Sequence, residues 1–476
     1  MDTESTATTT EFDSPGGSPS RSVAGALDAA HELALRYVES LPDRHVGGTA
    51  SRDALLDALG GLLPEGPDDP AGVVRRLADA ADPGLVATSS GRFFGFVEGG
   101  VLPAALAADW LTSVWDQNPG FSVLSPAAAA AEEVVAGWML DLLGLPPSAS
   151  VGFTTGAQMA SLAGLAAARH HVLAAVGWDA EADGLIGAPR VKVVVGDERH
   201  ATIGRALRFL GFGERTVTVV PADGQGRMDA GALGAELARD DGPAIVCAQA
   251  GNVNTGAFDP LRAIGEATRE HGAWLHVDGA FGLWAAASPR LRHLADGIEL
   301  ADSWATDGHK WLNVPYDSGI VVCAHPDAHR TALALHAPYL IRNAGNPRDG
   351  SDWTAESSRR ARVFALWAAL RSLGRTGVAG LVERCCDHAR RFADELGGKP
   401  GFEVLNEVVL NQVLVRVGDD DQRTRAVAHA VQREGVAWLG ETTRHGVVAL
   451  RISVSDHATT EADVDRAIDA IVRAAS

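Results

Sequence analysis

The sequence predicts an α/β protein with a large domain built on a mostly parallel seven-stranded sheet, an N-terminal helical arm and a small α+β C-terminal domain. Three observations support this. Between residues 151 and 324, seven short runs are almost continuously apolar, as are strands buried on both faces. Helical segments separate these runs, which indicates parallel crossovers. After about Arg371 the pattern changes to pairs of strands with helices.

The N-terminal region divides into two parts. Residues 1–23 are rich in Ser, Thr, Gly and Pro, and we expect a disordered lead. Residues 24–101 are expected to form a helical arm that packs on another surface. The first helix has one apolar face because apolar residues recur at helical spacing, at Leu27, Ala30, Ala34, Val38 and Leu41.

The large domain is expected to span residues 102–370. Its seven strands are predicted at 151–154, 191–195, 216–220, 244–248, 273–277, 303–306 and 319–324. The small domain, 371–476, is predicted to contain strands at 408–417, near 436 and at 447–454, with a helix at 421–434. Thr459 or Thr460 is expected to cap a last helix, with Asp463 in its first turn.

Composition excludes several classes of protein. The formal net charge is -20 at pH 7 and there is no stretch rich in Lys or Arg, so nucleic acid and anionic membranes are not expected partners. No apolar run approaches the ~18 residues that span a bilayer. The four cysteines have neither zinc-ligand nor disulfide spacing, which indicates a reducing cytoplasm and no metal site.

Two residues predict the chemistry. Asp278 ends the apolar run AWLHVD, and Lys310 follows the next run in the segment TDGHKWL. A lysine amine can form a Schiff base with an aldehyde, and a buried carboxylate can keep a pyridine nitrogen protonated. Together they indicate an enzyme with a pyridine aldehyde cofactor. The structural alternatives are a surface lysine and an aspartate that caps the next helix.

Two further segments suit such a cofactor. TTGAQMAS follows the first strand and opens a helix of small residues, whose N-terminus favours a phosphate. His200 follows the second strand, where an imidazole can stack on a flat ring. Alone, each pattern also occurs in ordinary α/β turns and loops.

The segments TTGAQMAS, DERHATIGRA, GNVNTGAFDP, LHVDGAFG and TDGHKWLNVPYDSG occur in this order. In this the chain resembles the pyridoxal-phosphate-dependent group II amino-acid decarboxylases, which include the glutamate and aromatic-amino-acid decarboxylases. The resemblance extends from about Arg92 to the C-terminus. It implies the aspartate-aminotransferase fold (PLP fold type I), a homodimer, and decarboxylation of an L-amino acid to its amine with release of carbon dioxide.

The resemblance also implies roles for individual residues. Lys310 would hold pyridoxal 5'-phosphate as a Schiff base, Asp278 would pair with the pyridine nitrogen, and His200 would stack on the ring and help to orient or protonate the substrate. Asn252 or Asn254 would lie near the phenolic oxygen, and we take Asn254 as the candidate. The residues expected around the phosphate are Thr155, Gly156, Ala157, Ser303 and His309.

The expected substrate pocket is less defined. Its candidates are Phe94, Phe96, Glu98 and Asn118, and core packing is the alternative for the aromatic pair. Many relatives carry a tyrosine on a mobile loop that protonates the intermediate. Here the corresponding loop, 341–353, has none, although Tyr339 precedes it. Either another donor such as His200 supplies the proton, or the product is an aldehyde.

Other functions remain open from the sequence. An aminotransferase of the same fold would use Arg451 to hold the substrate carboxylate, and a non-catalytic relative would have lost the chemistry. Acidic, aromatic and aliphatic amino acids are all possible substrates. Aromatic or bulky apolar ones are favoured by Phe94, Phe96, Tyr339 and Trp353.

Overall fold

The computed structural model describes residues 19–335 and 348–476, with side chains from residue 22 onward. The chain forms two compact units, one ending at Ala87 and the other comprising Thr88–Ser476. The arm predicted at 24–101 is therefore divided between the two units.

Within its described residues, the first unit contains three α-helices, α1 (Pro19–Ser40), α2 (Arg52–Leu59) and α3 (Pro70–Ala81). Helix α1 begins inside the segment that was expected to be disordered, and residues 1–18 lie outside the described residues. Side-chain oxygens cap the next two helices: Ser51 accepts from Ala54 N and Asp69 from Gly72 N. Part of the apolar face of α1 is exposed, at Val23, Leu27, Leu35 and Val38.

The second unit contains the other elements. Its strands are β1 (Phe93–Phe94), β2 (Ser150–Thr154), β3 (Lys192–Gly196), β4 (Val217–Val220), β5 (Ala244–Gln249), β6 (Trp274–Asp278), β7 (Ser303–Asp307), β8 (Gly319–Cys323), β9 (Phe402–Val404), β10 (Gln412–Val417), β11 (Trp438–Arg444) and β12 (Val447–Ser453). Its helices are α4 (Pro103–Trp115), α5 (Pro126–Leu143), α6 (Ala157–Ala174), α7 (Ala180–Asp183), α8 (Ala201–Phe209), α9 (Ala230–Leu237), α10 (Leu261–Glu270), α11 (Pro326–Leu333), α12 (Val363–Gly397), α13 (Asp421–Glu434) and α14 (Glu461–Ala475).

The large sheet has seven strands in the order β2-β8-β7-β6-β5-β3-β4. Neighbours from β4 to β7 are parallel, whereas β8 is antiparallel to both β2 and β7. Every residue of β2, β5, β6, β7 and β8 is buried, which explains why these strands read as continuous apolar runs. The predicted α/β fold with a mostly parallel seven-stranded sheet is confirmed.

Strand register determines which side chains meet at one edge of this sheet. Gln249 pairs with Asp278 at the carboxyl ends of β5 and β6, and Asp278 pairs with Ala305 of β7. Asp307, two residues further along β7, pairs with Gly319, the first residue of β8. Because Gly319 also pairs with Thr154, Asp307 is brought close to the start of α6.

The small sheet has the order β1-β11-β12-β10-β9 and is antiparallel except for the pair β1–β11. Strand β1 thus joins the C-terminal elements, although it was predicted within the arm. Helix α12 crosses the predicted domain boundary at 370/371 and is interrupted at Gly374, which has a φ of 61°. Thr460 caps α14 in a reciprocal capping box with Asp463.

Within the described residues, none of the helices combines the length and the apolar character that a bilayer crossing requires.

Candidate active site

A cavity of about 380 Å³ lies at the carboxyl edge of the large sheet. Six polar residues of its lining come from β5, β6 and β7, from the loops that follow β3 and β7, and from β12. These residues are Gln249, Asp278, Asp307, His200, Lys310 and Arg451. The two residues that carried the chemical prediction, Asp278 and Lys310, thus line the same cavity.

Lys310 lies in the tight turn between β7 and β8. The backbone N–H groups of Gly308 and His309 donate to the carbonyl of Ser318, which closes the turn. The side chain of Asn313 donates to the carbonyls of Trp311 and Ser455, which fixes the turn to the small domain's chain. The Nζ atom of Lys310 is 2.9 Å from Asp307 Oδ2, and the lysine side chain is 24% exposed. The amine is therefore held at the cavity wall and accessible from the cavity.

Asp278 ends β6 with its side chain buried. Its Oδ1 accepts a hydrogen bond from the N–H of Ala280 at 3.2 Å, the only hydrogen bond to this carboxylate from the described part of the chain. Burial raises the pKa of Asp278, and the nearby His200 and Lys310 only partly oppose the effect. A buried carboxylate with so few donors is stabilised by a cation in the cavity.

His200 precedes α8 and caps it: its Nδ1 accepts the N–H of Thr202. The same nitrogen is 2.7 Å from the hydroxyl oxygen of Thr202, so both contacts with Thr202 are made by Nδ1. Burial lowers the pKa of His200, with Lys310 acting in the same direction and Asp278 against it. A neutral imidazole with an available Nε2 suits stacking and proton transfer.

The N-terminus of α6 forms the end of the cavity beside His309. The N–H of Ala157 points to Asp307 and donates to its Oδ1 at 2.6 Å. A Cβ added to Gly156 would lie 3.3 Å from His309 Cε1 and 3.5 Å from Asp307 Oδ1. Three of the residues expected around the phosphate line the cavity: Gly156, Ala157 and His309. Thr155, which was also expected there, is half-buried and is not part of the lining.

The position of Ser303 contradicts its expected role at the phosphate. It begins β7, about 13 Å from the carboxyl end of that strand at the usual rise per residue. Its Oγ is 2.9 Å from both Trp274 Nε1 and His276 Nδ1, and the side chain is fully buried. It lies at the opposite edge of the sheet from the cavity and cannot contact a phosphate held there.

The asparagines also lie outside the cavity lining. Asn254 Oδ1 accepts the hydroxyl of Thr442, and Asn252 is buried, where its Oδ1 accepts the N–H groups of Asn254 and Thr255. Gly251 and Val253, the neighbours of Asn252, line the cavity instead. The expected side-chain contact from Asn254 is therefore not supported by its position.

Of the expected pocket residues, Phe96 and Glu98 line the cavity. Burial raises the pKa of Glu98. Phe94 is in the core, where its ring packs edge-on against Phe392 at 5.0 Å. Asn118 has a structural role, since its Oδ1 accepts N–H groups from Gly120 and Arg359.

Two expectations about the mobile loop are not addressed by the structure. Tyr339 and the first part of the loop at 341–353 lie outside the described residues. Trp353, at the end of that loop, is buried and does not line the cavity.

Several cavity residues were not predicted from the sequence, among them Gln249, Asp307 and Tyr316. Gln249 ends β5, Asp307 ends β7, and Tyr316 follows the lysine, with its ring stacked on that of His309 at 4.1 Å. Asp307 and Tyr316 both lie in the motif TDGHKWLNVPYDSG, so a signal was available. Gln249 could have been found from its position at the carboxyl end of a buried strand.

Comparisons with known proteins agree with this geometry. A sequence model of the "Pyridoxal-dependent decarboxylase conserved domain" matches residues 57–417. Phenylacetaldehyde synthase of Arabidopsis thaliana is 28% identical over 442 residues, which are 87% of this chain and 89% of that protein. An acidic amino acid decarboxylase of Mus musculus is 31% identical over 330 residues, 68% of this chain and 59% of that protein. The crystal structure of Oryza sativa TDC with PLP and tryptamine superposes with a TM-score of 0.90 at 25% identity, covering 97% of this chain and 99% of that one.

The cavity fits pyridoxal 5'-phosphate on its own chemistry. It offers an amine for an aldehyde at Lys310 and a buried carboxylate in need of a cation at Asp278. A glycine opens the helix N-terminus beside them, so that backbone can approach a ligand closely. The three groups line one cavity.

Proposed function

We propose a reaction for this chain, which belongs to the pyridoxal-dependent decarboxylase family and is a pyridoxal-phosphate-dependent carboxy-lyase. In this reaction it removes the α-carboxylate of an L-amino acid as carbon dioxide and releases the amine. The observation that carries the proposal is the placement of Lys310, Asp278 and His200 around one cavity. Retention of all three argues against a non-catalytic relative.

The residues take separate roles in this proposal. When bound, the cofactor supplies an aldehyde for amines and a protonated ring that withdraws electrons from the carboxylate bond that breaks. Lys310 would hold the cofactor through its amine. Asp278 holds the ring nitrogen protonated, and its burial strengthens that interaction. Gly156, Ala157 and His309 surround the phosphate.

His200 is the proposed partner of the ring face and a candidate proton donor to the substrate carbon. Its Nε2 is free of the contacts that occupy Nδ1. Tyr316 is a second candidate, because its side chain lines the cavity and a phenol is protonated at neutral pH. A proton donor on the described walls favours an amine as the product. An aldehyde stays the alternative, since one relative is named phenylacetaldehyde synthase.

The cavity leaves two substrate classes to distinguish. Phe96, Phe281 and Tyr316 provide aromatic surfaces, which suits an aromatic amino acid. Arg451 provides a cation whose buried Nε has no hydrogen-bond partner among the described residues, which suits an additional carboxylate. The relatives include enzymes named for both classes. Arg451 also keeps an aminotransferase as the second candidate, since it would hold an α-carboxylate that is not lost.

We further propose a homodimer in the cytoplasm. Helix α4 exposes an apolar face at Trp110, Leu111, Val114 and Trp115, which a second copy would cover. All four cysteines are buried and unpaired, as in a reducing compartment.

Borohydride trapping tests the attachment of the cofactor. The chain has three lysines, Lys192, Lys310 and Lys399, so the modified peptide can be assigned without ambiguity. The purified protein is loaded with pyridoxal 5'-phosphate, reduced and digested, and the pyridoxyl mass is expected on the Lys310 peptide only. Lys310→Ala should lose it and Lys399→Ala should keep it. Trapping at another lysine would refute the assignment.

Activity is tested with the common L-amino acids, measuring carbon dioxide, amine and aldehyde from each. Carbon dioxide with an equal amount of amine supports the proposal. Turnover that requires a 2-oxo acid and releases no carbon dioxide would support the aminotransferase instead.

A further inference from the structure

Asp307 has a position that the proposed function does not use. Its carboxylate is 2% exposed and lies at the end of β7, between Lys310 and the N-terminus of α6. One oxygen, Oδ2, is 2.9 Å from Lys310 Nζ. The other, Oδ1, accepts the N–H of Ala157 at 2.6 Å and is 3.5 Å from His309 Nε2. One carboxylate thus contacts both Lys310 and the N-terminus of α6, the two ends of the expected cofactor site.

The contact with Ala157 is one that a phosphate would need. Helix N-termini bind anions through free N–H groups and the favourable end of the helix dipole. Here a carboxylate of the chain itself already accepts the N–H of Ala157. A phosphate that enters this position must take that donor from Asp307 and come close to a like charge.

The contact with Lys310 has an effect in the same direction. The Lys310 Nζ atom is paired with Asp307 Oδ2 at 2.9 Å. The lysine has to leave this pair before its nitrogen can attack an aldehyde, so the contact opposes attachment of the cofactor. Loss of the charge on Asp307 removes both obstacles together.

We propose that Asp307 controls cofactor loading: its carboxylate accepts the N–H of Ala157 at the start of α6 and pairs with Lys310 until pyridoxal 5'-phosphate displaces it from both. The inference rests on the proposed function of Lys310 and of the α6 N-terminus. It makes Asp307 a positioning residue for the cofactor-free protein. In the loaded protein the carboxylate has to give up at least its contact with Ala157.

The test compares cofactor binding by the cofactor-free full-length protein and by Asp307→Asn, which removes the charge and keeps the shape. Asp296→Asn is the matched control, because Asp296 is 62% exposed and pairs with Arg262 away from the cavity. Association rate and Kd are read from the absorbance of the bound cofactor. Each protein is titrated with pyridoxal 5'-phosphate and, separately, with pyridoxal, which lacks the phosphate.

We expect Asp307→Asn to bind pyridoxal 5'-phosphate at least about tenfold more tightly and faster than wild type, because one like-charge contact with the phosphate is removed. The gain with pyridoxal should be smaller, since only the lysine effect remains. Equal affinity of wild type and Asp307→Asn for pyridoxal 5'-phosphate would overturn the inference, and so would an equal gain with both ligands.

Two further measurements keep the test decisive. Asp307→Ser also lacks the charge and should give the same order of affinities if the asparagine variant folds poorly. Inorganic phosphate should raise the Tm of an uncharged variant more than that of wild type. If wild type forms no reducible bond at Lys310, the proposed function itself fails; if that bond forms and the variants bind no better, only the role of Asp307 fails.

Discussion

A close approach of two backbone segments beside the cavity makes a sharp test of its architecture. Gly319 begins β8 beside the start of α6, and an added Cβ would lie 2.4 Å from both Cα and the carbonyl carbon of Gly156. Ordinary carbon–carbon contacts are about 3.5–4.0 Å, so Gly319→Ala must separate two backbone segments by about 1 Å or more. Overpacking of this kind costs about 1–3 kcal/mol of the free energy of unfolding.

The same displacement should reach the cofactor. A shift of about 1 Å in a positioned group can cost about 10²-fold, so the Kd for pyridoxal 5'-phosphate should rise by one to two orders of magnitude in Gly319→Ala. The assays are cofactor titration by absorbance and urea denaturation of the cofactor-free protein. Both should change in the same variant, since one contact causes both effects.

Gly234→Ala is the control for adding a methyl group. Gly234 lies inside α9 and a Cβ there meets no atom within 4 Å. Alanine in a helix interior should leave cofactor binding unchanged and stabilise the protein by about 0.5–1 kcal/mol. If Gly319→Ala retained both the affinity and the stability of wild type, the close approach of β8 to α6 would be wrong.

Three other changes probe separate groups. Asp278→Asn should still bind the cofactor but lose about 10²–10³-fold in kcat, because an amide cannot keep the ring nitrogen protonated; equal kcat would refute that role. Arg451→Met should raise KM for an acidic amino acid about tenfold or more and leave KM for an aromatic one unchanged, which steady-state kinetics on the substrates that turn over can decide. Burial lowers the pKa of His276 to about 3, so near pH 6.5 this side chain takes up a proton only in the unfolded chain. Its contribution to stability is therefore complete above pH 6.5 and is lost as the pH falls towards 3. His276→Phe should therefore reduce the decline in unfolding free energy between pH 6.5 and 5 by about 1.4 kcal/mol per pH unit, and urea denaturation with an unchanged slope would contradict this.

Elements with a strong local signal were predictable from the sequence. The seven apolar runs became the seven strands of one sheet, with ends that differ by a residue or two. The helix predicted at 421–434 has these bounds, and Thr460 caps the last helix. Burial on both faces and cap chemistry act within a few residues of sequence, so a reader of the sequence can see them.

Elements that depend on distant partners were not predictable. Strand β1 has only two residues, and its strand character comes from pairing with Trp438 and Leu439 more than 340 positions away. Nothing in the local pattern indicates that Phe93 and Phe94 belong to the C-terminal sheet. The boundary at 370/371 stays a prediction: it lies a few residues before the interruption of α12 at Gly374, and nothing in the local pattern indicates that a helix resumes after that residue.

Ser303 and Asp307 show how far the residues of the site could be predicted from the sequence. Both residues are on β7, both are polar and buried, and both lie near the lysine motif in the sequence. Parallel strands expose ligand groups at their carboxyl ends, so the last residue of the strand reaches the cavity and the first does not. The resemblance placed Ser303 at the phosphate, whereas the direction of β7 puts Asp307, and not Ser303, at the cavity. Had the end of β7 been fixed at Asp307 from the sequence, direction alone would have placed a carboxylate beside Lys310. The register of β8 was still needed to bring it to Ala157, because that contact depends on Gly319 pairing with both Asp307 and Thr154.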